Sequence, residues 1–175
     1  MSVNITFLGG ADTVTGSRFL VRHDGHSLLV DCGLFQGYKQ LRLRNWRPLP
    51  VVPGQIHAVI LTHAHLDHSG YLPVLVREGF HGRVHATAGT RDLCGILLPD
   101  SGHIQEEDAA FANRHGFTRH VPAEPLYTVD DAWRALRLFR ELPFGQPVEL
   151  GEGVSAKLEP AGHRSRRKRW YNWLT

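Results

Sequence analysis

Ten consecutive residues constrain this chain more than any others: Leu61-Thr62-His63-Ala64-His65-Leu66-Asp67-His68-Ser69-Gly70. They follow Ala58-Val59-Ile60-Leu61, a run apolar on both faces, as in a strand buried inside a sheet. They precede Leu72, Leu75 and Val76, which fall at helical spacing within a stretch expected to be helical over 66–78. Four donors, His63, His65, Asp67 and His68, therefore sit where a buried strand hands over to a helix. In a loop, a His-x-His pair can turn two imidazoles toward one point, and the Asp and His that follow can reach a second point a few ångströms away. Imidazole nitrogen suits zinc at about 2.0–2.1 Å and carboxylate oxygen at about 2.0–2.2 Å. Two such ions about 3.5–4 Å apart can clamp a phosphate or a carbonyl.

The rest of the chain reads as a mixed α/β order. Ile5–Leu8 ends in Gly9-Gly10 as a strand entering a turn, and Ser17–Arg22 and Ser27–Asp31 flank Asp24-Gly25 as a hairpin. Pro48, Pro50, Pro53 and Gly54 mark a loop, and Arg83–Ala86 a short strand. Thr90–Leu98 and Ile104–His115 read as two helices separated by Pro99. Thr128 with Asp130 and Asp131 starts a helix whose amphipathic run is expected over Ala132–Leu142, through Trp133, Leu136 and Phe139. Val154–Leu158 is a last strand, leading to Ala161-Gly162-His163.

The metal-ligand segment resembles the signature of the metallo-β-lactamase superfamily. Three further stretches are similar to one branch of it, the β-CASP-type RNA-processing ribonucleases that include the cleavage and polyadenylation endonuclease. These are Phe7–Gly10 through Val14–Ser17, Leu29-Val30-Asp31-Cys32-Gly33 with Phe35-Gln36-Gly37, and Leu98–Asp108 together with Pro125–Thr128. The resemblance spans residues 1–163. It implies a four-layered αββα sandwich, of which this chain supplies roughly the first half, with metals at one edge of the sheets. It implies His63, His65 and His163 as ligands of a first zinc, and Asp67 and His68 as ligands of a second. Asp31 is implied as the carboxylate that orients a ligand histidine from behind, and Asp31 and Asp67 as the catalytic carboxylates. The implied chemistry is hydrolysis of RNA phosphodiesters by a metal-bound hydroxide.

The tail departs from that pattern. After His163 the branch continues into a Gly- and Ser-containing turn, another strand and an aspartate that bridges both metals. Here the sequence reads Arg164-Ser165-Arg166-Arg167-Lys168-Arg169-Trp170 and stops shortly after. Residues 164–175 hold five cations and no acid, which leaves residues 1–163 at a net charge of −2 inside an overall +3. The abrupt change in composition at one residue leads us to expect a truncated or frame-shifted product, with 1–163 the N-terminal part of the domain and 164–175 a solvated basic, aromatic tail. A chain so cut is expected to be weakly active or inactive, and a half sandwich to expose an apolar sheet face and associate with a partner, another copy or its missing half.

Composition sets outer limits. With 42% hydrophobic and 21% charged residues the chain is not disordered throughout, and no apolar run is long enough to span a membrane. Two cysteines, Cys32 and Cys94, make no disulfide framework and read as buried core residues; with no secretory signal visible, a reducing cytoplasm is expected. Among the remaining histidines, His23 and His26 read as solvated turn residues, and His57, His81, His85, His115 and His120 as strand-edge, loop or surface residues. His103 lies in the branch-like stretch but is expected to be surface, and Glu106, Glu107 and Asp108 a wet helix face. Two alternatives stay open: a thioester or lactam hydrolase of the same fold, and a metal-binding fragment that turns nothing over.

Overall fold

The computed structural model describes residues 2–116, 121–151, 153–159 and 161. Six strands form one sheet in the order β1-β2-β3-β4-β5-β6: β1 (Val3–Gly9), β2 (Arg18–His23), β3 (His26–Val30), β4 (Ala58–Ile60), β5 (Arg83–Ala86) and β6 (Phe139–Glu141). The first three pair antiparallel and β3 through β6 pair parallel. The β2–β3 hairpin turns at Asp24 (φ 42°) and Gly25 (φ 84°), the two left-handed positions that a tight hairpin needs for its twist to match the strands. His23 and His26 flank this turn half-buried rather than solvated, and the His26 ring lies 5.0 Å from that of His57.

Helices α1 (Lys39–Arg42), α2 (Leu66–Ser69), α3 (Leu72–Arg77), α4 (Ala88–His115) and α5 (Val129–Leu136) make the crossovers, with a small hairpin of β7 (Val148–Gly151) and β8 (Val154–Ala156) after the main sheet. The stretch expected as one helix over 66–78 breaks into α2 and α3 at Gly70-Tyr71. The two helices expected around Pro99 are one helix of 28 residues with the proline inside. Proline removes one intrahelical hydrogen bond, but Thr90, Cys94, Leu98 and Gly102 continue a buried row at four-residue spacing straight through it. Packing of that face outweighs the local break. The amphipathic run expected to continue to Leu142 ends at Leu136. Phe139 belongs to β6, where it sits in register with Val84 and is buried. The expected start of α5 is present as a capping box, with Asp131 N–H donating to Thr128 and the Asp131 carboxylate accepting from Thr128 N–H.

The sheet separates two cores. On one face Leu29, Val59, Val84 and Phe139 lie in cross-strand register, and Leu72, Leu75, Cys94, Leu98, Ala132 and Ala135 of α3, α4 and α5 pack over them. On the other face Leu28, Ala58 and Ile60 meet Leu142, Ala156 and Leu158 near the β7–β8 hairpin. That second face continues onto β1, where Ile5 is in register with Val21 and so with Leu28. There the cover stops: Val3, Ile5 and Phe7 are 61%, 57% and 64% exposed. Both cysteines are fully buried, as expected. No helix among the described residues is long and apolar enough to cross a membrane.

Candidate metal centre

The centre forms where β3 and β4 end side by side. Asp31 follows β3, and its N–H donates to Ile60 O at 2.9 Å, which continues the parallel ladder by one residue. At that point the backbone turns left-handed, with φ 59° at Asp31, a conformation that Asp tolerates better than most residues. The turn aims a carboxylate that is only 2% exposed across the end of β4. It accepts hydrogen bonds from Thr62 N–H (2.8 Å), from the Thr62 hydroxyl (2.8 Å to either oxygen) and from the Ser17 hydroxyl (3.3 Å). His68 Nδ1 lies 2.7 Å from Asp31 Oδ2. A buried carboxylate is tolerated because so many donors surround it.

Three backbone segments, at Ser17, 32–34 and 66–68, are pressed together to achieve this. Cys32 N–H donates to His68 O (2.7 Å), Leu34 N–H to Leu66 O (2.8 Å), Ser17 N–H to Asp67 O (2.9 Å), and Gly33 N–H to Ser17 O (3.0 Å). A β-carbon on Gly33 would stand 1.6 Å from Asp67 O, so only glycine permits the approach. Behind this lattice lies Arg18, 2% exposed. Its Nε donates to Gly33 O (2.8 Å), its Nη2 donates to Asn45 Oδ1 (3.2 Å), and its guanidinium lies 3.7 Å from the centre of the Tyr71 ring. Burial pulls the Arg18 pKa below its ordinary value and pushes the Cys32 thiol up to about 12, so Cys32 is held as an inert thiol.

The structure brings four of the expected ligands together. His63 Nε2 is 3.0 Å from His65 Nδ1, the His63 and His68 ring centroids are 4.0 Å apart, and His68 Nε2 is 3.5 Å from Asp67 Oδ2. Burial works against protonating His68, but the hydrogen bond and charge of Asp31 together with the charge of Asp67 outweigh it, so the His68 pKa is raised. His163, the distant expected ligand, and the basic tail lie outside the described residues. Among the described residues, no three His, Cys, Asp or Glu side chains are arranged as a group that could hold a metal ion. Imidazole and carboxylate are nevertheless donor types that a divalent cation such as zinc accepts. Two nitrogens bound to one tetrahedral zinc stand roughly 3.3 Å apart, close to the His63–His65 separation, and the Asp31–His68 contact is the carboxylate–histidine pairing that fixes a ligand's tautomer. Thr62 escaped the sequence reading, although its hydroxyl also lies 3.1 Å from His63 Nδ1. Its place between the buried strand and the first histidine was the available signal. His103 is exposed and 3.5 Å from Glu107, consistent with the surface role expected for it.

A mixed sheet whose parallel strand ends carry a His-x-His-x-Asp-His segment defines a class, and the comparisons agree with it: the chain belongs to the metallo-beta-lactamase superfamily, whose family model matches residues 12–125. It is 37% identical over 161 residues to Ribonuclease TTHA0252 of Thermus thermophilus, a match covering 92% of this chain and 33% of that protein. It is 30% identical over 161 residues to Transcription termination factor FttA of Methanocaldococcus jannaschii, covering 92% of this chain and 23% of the relative. The chain thus spans a third or less of the length of these relatives. Among solved structures, the subclass B3 metallo-beta-lactamase MEM-A1 superposes with a TM-score of 0.51 at 17% identity, over 96% of this chain and 52% of the other. The metallo-beta-lactamase fold protein YhfI of Bacillus subtilis does so with a TM-score of 0.51 at 17% identity, over 97% and 56%. These two likenesses speak for the fold.

Proposed function

We propose that this chain is part of a metal-dependent hydrolase that cleaves RNA phosphodiesters. The observation that carries the proposal is the gathering of His63, His65, Asp67 and His68 at the end of β4, with His68 held by the buried Asp31. The RNA substrate is taken from the ribonuclease and termination-factor relatives. His63 and His65, with His163, would hold one zinc or similar divalent ion, and Asp67 with His68 a second. Such an ion supplies charge neutralisation for a phosphodiester and acidifies water. Asp31 keeps the proton of His68 on Nδ1, so that Nε2 presents its lone pair on the side of Asp67. The Thr62 hydroxyl ties Asp31 to His63, and locks both rings against one carboxylate. Asp67 Oδ2 lies beside His68 Nε2, where the two would face one ion, and the second oxygen of Asp67 is left to take a proton from attacking water.

The test is metal content per chain after loading with zinc, followed by hydrolysis of a labelled RNA by the wild type and by His65→Ala. We expect bound metal and weak RNA cleavage in the wild type and a loss of both in the variant. A chain that binds no metal after loading sinks the proposal. Turnover of a thioester or lactam in place of RNA reassigns the substrate and leaves the centre intact.

A further inference from the structure

Between Asp31 and Asp67 the chain contains no Asp or Glu, yet it holds four cations: Lys39, Arg42, Arg44 and Arg47. All four fall within Tyr38–Arg47, and all four are exposed. Among the described residues none of them is in an ion pair. Two aromatic side chains stand out of the same ten residues, Tyr38 at 84% and Trp46 at 56% exposure. Elsewhere residues 1–163 carry more acid than base, so this segment is a local reversal of charge.

The segment is held in shape. Helix α1 and a 3-10 turn over Leu43–Trp46 form it, and the buried Asn45 pins it to the loop leaving the candidate centre. Asn45 Oδ1 accepts from Phe35 N–H (2.9 Å) and from Arg18 Nη2, while Asn45 Nδ2 donates to Phe35 O (2.8 Å). Phe35 is four residues from Asp31, so at most roughly 14 Å of chain separates the pinned point from the Asp31 α-carbon. Beside Trp46 opens a cleft of about 220 Å³, with Arg47, Leu49 and Tyr71 among its walls.

We propose that Tyr38–Arg47 is a docking surface for single-stranded RNA. Phosphates meet Lys39, Arg42 and Arg47, and bases stack on Trp46 and Tyr38. Unpaired cations interleaved with exposed aromatic faces are the chemistry of single-strand recognition: cations track the backbone, and every base offers a π-face to a ring. An acidic protein surface would satisfy the cations but leave the rings in water, so RNA is the occupant the segment fits. This proposal rests on RNA being the substrate, and it places the strand's grip outside the metal donors.

The experiment is fluorescence anisotropy of a fluorescein-labelled single-stranded RNA titrated with the full chain in EDTA, so that no metal takes part. The wild type is expected to bind with an affinity that falls as salt rises. The double variant Arg42→Ala/Arg47→Ala is expected to weaken binding about tenfold or more and to flatten the log–log salt slope by about 1.4, at about 0.7 for each phosphate left without its cation. Trp46→Ala is expected to weaken binding about tenfold with little change in that slope. Circular dichroism confirms the fold of each variant. The proposal is overturned if the wild type fails to bind at low salt, if the variants bind like the wild type, or if polyglutamate displaces the RNA at equal charge concentration. Hydrolysis of bis(p-nitrophenyl) phosphate by the metal-loaded wild type, measured in parallel, reads the hydrolytic centre alone. Hydrolysis without RNA binding sinks this surface only, and salt-sensitive, Trp46-dependent binding without hydrolysis supports the surface while the hydrolase reading falls.

Discussion

His68 Nδ1 lies 2.7 Å from Oδ2 of Asp31, although 37 residues separate them in sequence. The contact joins the end of one parallel strand to the first helix after its neighbour. It needs the left-handed backbone at Asp31 and the absence of a side chain at Gly33. Asp31→Asn keeps the size and the Thr62 hydrogen bonds but gives up the charge that orients His68. We expect the variant to fold and to bind zinc about 10–100-fold more weakly than the wild type, as measured by competition with a chromophoric chelator. Equal affinity would separate Asp31 from the centre.

Gly33→Ala tests the backbone lattice rather than the donors. The new methyl would meet Asp67 O and His68 N, both main-chain atoms, so no rotamer change relieves it. We expect a loss of about 1–3 kcal/mol or more in urea unfolding. Gly116→Ala is the control. Unlike Gly33, Gly116 has a positive φ, 66°, but nothing lies within 4 Å of the added carbon, so only the conformational cost of about 1–2 kcal/mol applies and the metal affinity stays unchanged.

Asn45→Leu removes the clamp behind the centre. It strands the Phe35 N–H and takes one acceptor from a buried guanidinium. The expected cost is about 1–3 kcal/mol, read as a lowered melting temperature. A variant as stable as the wild type would show that Arg18 finds another acceptor.

His85 supplies a pH dependence whose sign is fixed by its surroundings. Burial, with Arg140 and Arg83 adding to it, lowers the His85 pKa, and among the described residues no hydrogen-bond partner reaches its Nδ1. The unfolded chain therefore takes up this proton at a higher pH than the folded one. Stability from this group is unaffected well above pH 6.5 and declines as pH falls through about 6.5 toward the folded value. His85→Gln is expected to flatten the profile of stability against pH in that window, measured by urea unfolding in EDTA. A profile that keeps its full slope assigns the proton to another histidine.

How much of this could be read from the residues varies from place to place. The donors of His63–His68 were legible because three histidines and an aspartate within six residues, after a doubly apolar run, have few other uses. The hairpin at Asp24-Gly25 and the cap at Thr128 were legible because each is a local rule satisfied by adjacent residues. Pro99 misled because the cost of one lost hydrogen bond is local, whereas the buried row Thr90, Cys94, Leu98 and Gly102 is set by what the helix packs against. Phe139 misled for a related reason: at helical spacing from Leu136, it nevertheless serves as the strand partner of Val84. Thr62, Arg18 and Asn45 were silent because their roles are contacts with distant segments, which no short-range pattern encodes.

The bare stretch of β1 has a colloidal consequence. This strand is the sheet's margin, pairing only with β2 among the described residues, and it presents Val3, Ile5 and Phe7 to water in an alternating row. An open ladder beside an oily stripe is a template for strand addition. The isolated polypeptide therefore brings its own adhesive, and shelf life in concentrated solution will be governed by how fast such margins meet rather than by how firmly the fold holds. A lysine in place of Ile5 would slow that encounter without touching either core.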